Sequence, residues 1–234
     1  MSSALVLVIV IFGTLAILAG VALLIFFVLR ATRAARPPEA QQLRPAIEQC
    51  GWAFSERDDT LIELYNRQFD RRDRRTPLAG PPRATAAHDV VSGTHRGRRF
   101  LASTFDVTYQ GNHQRERAIW VAAPSPHPIL NITRVPRLQN SANQAIGRGG
   151  TSIGLPEFDG QFEVTTEDDD FARAVLQPDV VNLLLADPRA PRGIHFRGEF
   201  LDAIDSINDH RDPRELLPAL DLRCDILDRI PNWR

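Results

Sequence analysis

The sequence contains no lysine, and all 28 of its basic residues are arginine. This absence excludes Schiff-base catalysis, a lysine general base and the lysine of a phosphate-binding P-loop. Only two cysteines are present, and a domain of this size does not depend on a disulfide framework. No two of the six histidines have the i, i+3 or i, i+4 spacing of a helical metal site, and none joins a cysteine at ligand spacing. The sequence therefore predicts no catalytic residue, no metal site and no cofactor.

A long apolar run near the N-terminus is the clearest feature that is present. Residues 4–29 carry no charged side chain, and a helix of that length measures roughly 39 Å, against about 30 Å for the hydrocarbon core of a bilayer. A cleaved signal peptide or a buried core helix would also be apolar. The first has a charged n-region and a shorter apolar region, and the second is rarely this long. The run predicts a transmembrane anchor over residues 1–30.

The charges beside this run predict its orientation. Arg30, Arg33 and Arg36 follow the run, whereas only the amino group of the chain precedes it. Because basic flanks stay on the cytoplasmic side, we expect the N-terminus outside and the C-terminal domain in the cytoplasm. Residues 31–38 then form a basic linker that ends in prolines.

Residues 39–234 show the patterns of one α+β domain. Alternating apolar residues predict strands, while caps and helical periodicity predict helices. The predicted strands are 52–54, 61–65, 89–95, 98–109, 118–123, 129–135, 162–166, 194–196 and 200–204, and the predicted helices are 39–50, 167–176, 178–186 and 213–230. Because the strands cluster and their connections are short, the expected fold is a mainly antiparallel sheet packed with helices behind one transmembrane helix.

Turn and cap residues support several of these boundaries. Arg96-Gly97 and Arg197-Gly198 are typical of tight turns, so each predicts a hairpin. Thr166 is the predicted N-cap of the helix that begins with an acidic cluster. The sequence Asp212-Pro213-Arg214-Glu215 predicts the start of the last helix, with a cap, a proline in the first turn and a reciprocal glutamate.

An arginine cluster is the one predicted binding feature. It lies in a segment, 67–84, that reads as a loop, and its members are Arg67, Arg71, Arg72, Arg74 and Arg75. Guanidinium forks suit phosphates and carboxylates, so one hypothesis is a contact with anionic lipid or phosphate. A solvated loop is the alternative, because acidic residues are interspersed. A nucleic-acid partner is not expected, because the net charge is only −1 and no recognised motif is present.

Four segments of the domain resemble a family of actinobacterial single-pass membrane proteins of unknown function. They are CGWAF at 50–54, VVSGTHRGRRFLASTFDVTY at 90–109, FEVTTEDDDFARAVLQPDVVNLLL at 162–185 and DRIPNWR at 228–234. Their order and spacing over residues 40–234 carry the resemblance, and the arginine-rich 67–84 loop departs from it. The resemblance implies a membrane-anchored protein of a bacterial cell, and it brings no catalytic residues.

Two functions are compatible with these features. The first is an interaction or scaffold module on the cytoplasmic face of the bacterial plasma membrane, with one integral span, a protein partner and anionic lipid as a further contact. The alternative is a small-ligand-binding or enzymatic domain whose site is assembled only by the fold. The absence of local catalytic motifs favours the non-enzymatic function.

Overall fold

The computed structural model describes residues 20, 21, 23, 37–69, 80–135, 150–189 and 191–233. The chain divides into two compact units, Met1–Leu43 and Arg44–Arg234. The second unit contains the whole sheet and both hydrophobic cores.

Six strands and six helices are described in this part of the chain. The strands are β1 (Ala53–Arg57), β2 (Arg83–His95), β3 (Arg98–Tyr109), β4 (Asn112–Arg134), β5 (Phe162–Thr166) and β6 (Gly193–Ile204). The helices are α1 (Pro37–Gln49), α2 (Leu61–Gln68), α3 (Pro156–Asp159), α4 (Asp169–Val175), α5 (Pro178–Ala186) and α6 (Pro213–Leu227).

All the described strands pair antiparallel in a single sheet. Its order is β1-β2-β3-β4-β5, and β6 also pairs with β4. The predicted turn between β2 and β3 is confirmed, because Arg96 and Gly97 both have positive φ angles of 50° and 78°. That conformation matches the twist of the flanking strands, which is why two-residue hairpin turns adopt it.

The strand β6 reverses direction in its middle. An extended strand of this length would measure about 40 Å, yet the backbone N–H of Arg192 donates to the carbonyl of Ile204 at 2.9 Å. The reversal falls at Gly198, whose φ of +59° is open to glycine. The predicted hairpin of two strands, 194–196 and 200–204, was therefore wrong: both are parts of the single strand β6, which bends at Gly198 and pairs with β4 on both sides of the bend.

A hydrophobic core lies on each face of the sheet. The larger one includes residues of α6, of which Leu216, Leu220 and Cys224 are fully buried. The smaller core lies under α2, where Tyr65 packs on Phe105 with ring centroids 4.7 Å apart. Successive side chains of a strand point to opposite faces of the sheet, so each strand contributes alternate residues to the two cores.

Side-chain hydrogen bonds to nearby backbone N–H groups fix the N-termini of the helices α6 and α4. The predicted N-cap of α6 is confirmed, because the carboxylate of Asp212 accepts the backbone N–H of Arg214 at 2.9 Å. The predicted reciprocal bond is not made, because Glu215 accepts the N–H groups of residues 208 and 209 instead of that of Asp212. The predicted N-cap of α4 was wrong by two residues. Asp168 holds that place, because its carboxylate accepts the N–H groups of residues 170 and 171, while the hydroxyl of Thr166 accepts the N–H of Asp168.

Two other predicted strand assignments were also wrong. Residues 61–65 form the helix α2 instead of a return strand, and the carboxylate of Asp58 accepts the N–H and hydroxyl of Thr60 just before it. The predicted strands 118–123 and 129–135 are parts of one strand, β4. Its pairing with β6 is irregular between Ala122 and Leu130, where the PSPHP sequence lies, so the proline-rich segment bends the strand without ending it.

The predicted fold class was wrong about the transmembrane helix, although the antiparallel sheet packed with helices is present. Among the residues that the structure describes, no helix is long and apolar enough to cross a membrane. The longest helix of the second unit, α6, has 15 residues and several charged side chains, whereas a crossing takes about 20 apolar residues. Of the predicted span 4–29, only Gly20, Val21 and Leu23 lie within the described residues.

Candidate functional site

The β2–β3 turn and the C-terminal segment together form an open hollow of about 800 Å³. We call it the basic hollow, and its lining residues are Arg96, Gly97, Arg98, Arg99, Ala122, Ala123, Pro124, Asp228 and Trp233. The turn supplies the arginines, the bend of β4 supplies a small apolar wall, and the chain after α6 supplies Asp228 and the tryptophan. The hollow exists because the β2–β3 turn lies beside the end of α6.

Two of the three arginines are held by carboxylates. Arg96 donates to Asp225 at 2.7 Å and to Asp228 at 2.6 Å. Arg98 donates to the other oxygen of Asp228 at 2.9 Å and to the backbone carbonyl of Trp233, and only 12% of its side chain is exposed. These bonds fix the two guanidinium groups, each of which has further N–H groups to donate.

Arg99 differs from its two neighbours. Arg99 is exposed, and its guanidinium has no hydrogen-bond or ion-pair partner in the described part of the chain. An arginine without a carboxylate beside an apolar wall is open to an anionic group from another molecule. Arg99 is therefore the uncompensated charge of the basic hollow.

An aromatic cluster holds the tryptophan that lines the hollow. The rings of His127, Phe171, Phe196 and Trp233 are mutual neighbours, with every pair of centroids between 5.4 and 6.3 Å apart. They come from β4, α4, β6 and the C-terminal segment. Edge-to-face and stacked pairs at such distances are favourable, so the cluster ties the C-terminus to the sheet.

The imidazole of His127 is unusual within this cluster. Both of its ring nitrogens are buried, and neither has a hydrogen-bond partner among the described residues. Burial lowers the pKa of His127, because the charged form loses solvation there. The ring therefore contributes to the cluster as a neutral aromatic group at pH 7.

Stability is expected to fall as the pH drops from 7 to 5. Burial, assisted by the charge of Arg197, lowers the pKa of His195 to about 3, and burial also lowers the pKa of His127 and of His210. The unfolded chain takes up protons near pH 6.5 while the folded one does not, so acid favours unfolding. For His195 alone the free energy of unfolding should decrease by about 2 kcal/mol between pH 6.5 and 5.

Urea unfolding at a series of pH values measures this effect. The variant His195→Gln removes one titrating group and is expected to flatten the pH dependence over the same range. Identical pH dependence in the two proteins would contradict the role given to His195.

The predicted arginine cluster is described at only one position. Arg67 is exposed near the end of α2 and lines a separate open hollow of about 540 Å³ with Asp59, Glu63 and Arg83. Arg71, Arg72, Arg74 and Arg75 lie outside the described residues. Because two acidic residues accompany the two arginines, this hollow is not a concentrated anion site. The contact with anionic lipid stays a prediction.

No described arrangement of side chains has the geometry of a nucleophilic triad. The imidazole of His95 is 2.8 Å from Asp221, but the Cys224 thiol contacts the His95 backbone carbonyl and not the ring. The Ser103 hydroxyl likewise donates to the backbone carbonyl of His88 and not to its ring. Burial also raises the pKa of Cys224 to about 11, which keeps the thiol protonated and unreactive. Within the described residues there is also no group of three or more His, Cys, Asp or Glu placed to hold a metal ion.

The basic hollow was not predicted from the sequence. Arg96-Gly97 predicted only a turn, and the DRIPNWR segment contributed only to a family resemblance. A local signal did exist, since one arginine lies in the two-residue turn and two more follow it directly. Nothing local pairs this turn with a tryptophan more than 130 residues later.

Comparison with known proteins gives one distant likeness. No family model and no curated protein matches the chain. The crystal structure of the mycobacterial trehalose monomycolate transport factor A, TtfA, has 14% sequence identity and a TM-score of 0.49, and the match covers 84% of this chain and 98% of that one. Such values indicate a distant likeness in fold and carry no functional argument. The actinobacterial resemblance and the cytoplasmic location stay predictions.

Proposed function

We propose that this domain is a protein-interaction module that docks an acidic segment of a partner protein in the basic hollow. The observation that carries the proposal is Arg99, an exposed guanidinium without a partner in the described residues, placed beside an apolar wall. An acidic segment with interspersed apolar residues complements both features. A carboxylate would meet Arg99, and an apolar side chain would contact Ala123, Pro124 or Trp233.

The organisation of the hollow supports a protein segment as the ligand. Asp228 and the carbonyl of Trp233 hold Arg96 and Arg98 in place before any ligand arrives, which reduces the entropy that binding must oppose. The hollow is wide and open, and three separate parts of the chain line it. Small-molecule sites usually enclose most of their ligand, whereas this surface leaves one side of a bound segment free.

Binding of a model peptide tests the proposal. The probe is a fluorescein-labelled eight-residue peptide of alternating aspartate and leucine, titrated with the full-length protein by fluorescence anisotropy. The variant Arg99→Gln should weaken its binding about tenfold, because one charge-assisted hydrogen bond is lost. Higher salt should weaken binding of the wild type, because Arg99 is exposed.

Three controls define the outcome of this titration. The exposed Arg173→Gln variant, whose arginine lies on α4 and bonds only Asp170, should bind like the wild type. An asparagine–leucine peptide should bind much more weakly than the acidic one. Equal binding of the two peptides, or an unaffected Arg99→Gln variant, would contradict the proposal. Binding to phosphatidylglycerol vesicles without binding to the peptide would also contradict it and would favour lipid as the partner.

A further inference from the structure

A third pocket lies where the two ends of β6 meet α6. Because the N–H of Arg192 bonds to the carbonyl of Ile204, the segments before and after β6 arrive side by side. Together with α6 they enclose a pocket of about 350 Å³. This volume is close to the lower limit for small-molecule sites, which is about 300 Å³.

The walls of this pocket are mainly apolar. They contain three prolines, of which Pro218 lies inside α6, and three aliphatic residues, Ile204, Ile207 and Leu222. Ile204 keeps 48% of its surface exposed, and it and Leu155 are the large hydrophobic residues described as exposed in the second unit. Open aliphatic surface inside a concave site favours an apolar ligand.

Most charged groups around the pocket are already compensated. Arg189 donates to Asp187 at 2.6 Å and to Asp225 at 2.8 Å. Asp205 accepts from Arg223 at 2.6 Å, and the Glu215 carboxylate caps the N–H groups of residues 208 and 209. These three side chains are therefore already bonded to other residues of the domain.

Arg192 is the exception among the charged lining residues. It is exposed, and its guanidinium has no partner within the described ranges, although its backbone N–H and carbonyl are both bonded. The pocket therefore combines one open cation with apolar walls. A carboxylate is the group that a free guanidinium binds in fork geometry.

We propose that this pocket binds a small carboxylic acid with a short apolar body. The guanidinium of Arg192 binds the carboxylate, and Ile204 and Ile207 contact the apolar body. The volume limits the ligand to a small molecule or to a single terminal residue of a peptide. This site is separate from the basic hollow, so the two proposals stand or fall independently.

Methyl NMR of the full-length protein tests this site directly. Isoleucine methyl groups are labelled with carbon-13, and hexanoate is the probe. Hexanoate is expected to shift the methyl signals of Ile204 and Ile207 in a saturable way. Arg192→Gln should raise the dissociation constant about tenfold, while Arg173→Gln should leave it unchanged.

Hexylamine and hexanol separate the role of charge from that of apolar contact. Both have an alkyl chain at least as long as that of hexanoate and lack the carboxylate, so both should bind at least tenfold more weakly. Equal binding of hexylamine, non-saturable shifts, or an unaffected Arg192→Gln variant would overturn the proposal. Because Arg192 is exposed, its loss should leave the other methyl signals in place, which shows that the variant is folded.

Discussion

Replacing Arg223 with leucine is expected to lower the free energy of unfolding by about 3–5 kcal/mol. This side chain is fully buried in α6. Its guanidinium donates to the carbonyls of Ile119 and Ala203 at 2.8 Å each and to the carboxylate of Asp205 at 2.6 Å. Leucine would leave these acceptors buried without donors. The free-energy cost of the unpaired acceptors would exceed the gain from burying an apolar side chain.

Urea unfolding of the full-length protein measures this effect, with Arg173→Leu as the control. Arg173 is 61% exposed and pairs with a carboxylate that is 97% exposed, so its loss should change stability by less than about 0.5 kcal/mol. If Arg223→Leu were as stable as the wild type, the hydrogen bonds from α6 to β4 and β6 would not contribute to the fold as described.

Replacing Trp233 with alanine is the second change with a large expected effect. It should lower the free energy of unfolding by about 2–3 kcal/mol, because three aromatic contacts and the buried part of the indole are lost together. The same substitution removes one wall of the basic hollow. Binding of the aspartate–leucine peptide should therefore weaken as well.

The variant Trp233→Phe separates the stability that comes from aromatic packing from the other contributions of the tryptophan side chain. Phenylalanine keeps a ring for His127, Phe171 and Phe196, so this variant should lose less than half as much stability. The backbone carbonyl of residue 233, which accepts from Arg98, is present in all three proteins. Equal stability of Trp233→Ala and the wild type would show that the C-terminal segment is not held by the aromatic cluster.

Local signals in the sequence predicted the parts of the fold that are determined locally. The Arg96-Gly97 turn and the start of α6 were both predicted, because each depends on residues within a few positions of one another. The α2 helix was missed because periodicity cannot distinguish a helix from a strand in an apolar run as short as residues 61–65. Over such short segments, packing against the sheet decides the structure.

Long-range pairing explains what the sequence could not predict. The pairing of β6 with β4 depends on contacts between residues 60 to 80 positions apart. Arg223 lies on the buried face of α6, where helical periodicity expects an apolar residue. The basic hollow has the same origin, because it joins the β2–β3 turn to the C-terminus. Functional surfaces of this kind become visible only when the fold brings distant residues together.

Photo-crosslinking in cells tests the central claim most directly, namely that the basic hollow binds an acidic protein segment. Because the chain has no lysine, amine-reactive linkers cannot couple through side chains, so a photoreactive amino acid replaces Pro124 at the exposed wall of the hollow. We expect a crosslink to one protein, at a segment rich in aspartate or glutamate, that is lost when Arg99→Gln is added. The same probe at exposed Glu157 on α3 serves as a control. Crosslinks to lipid alone, to many proteins equally, or to a partner that is retained in Arg99→Gln would contradict the account.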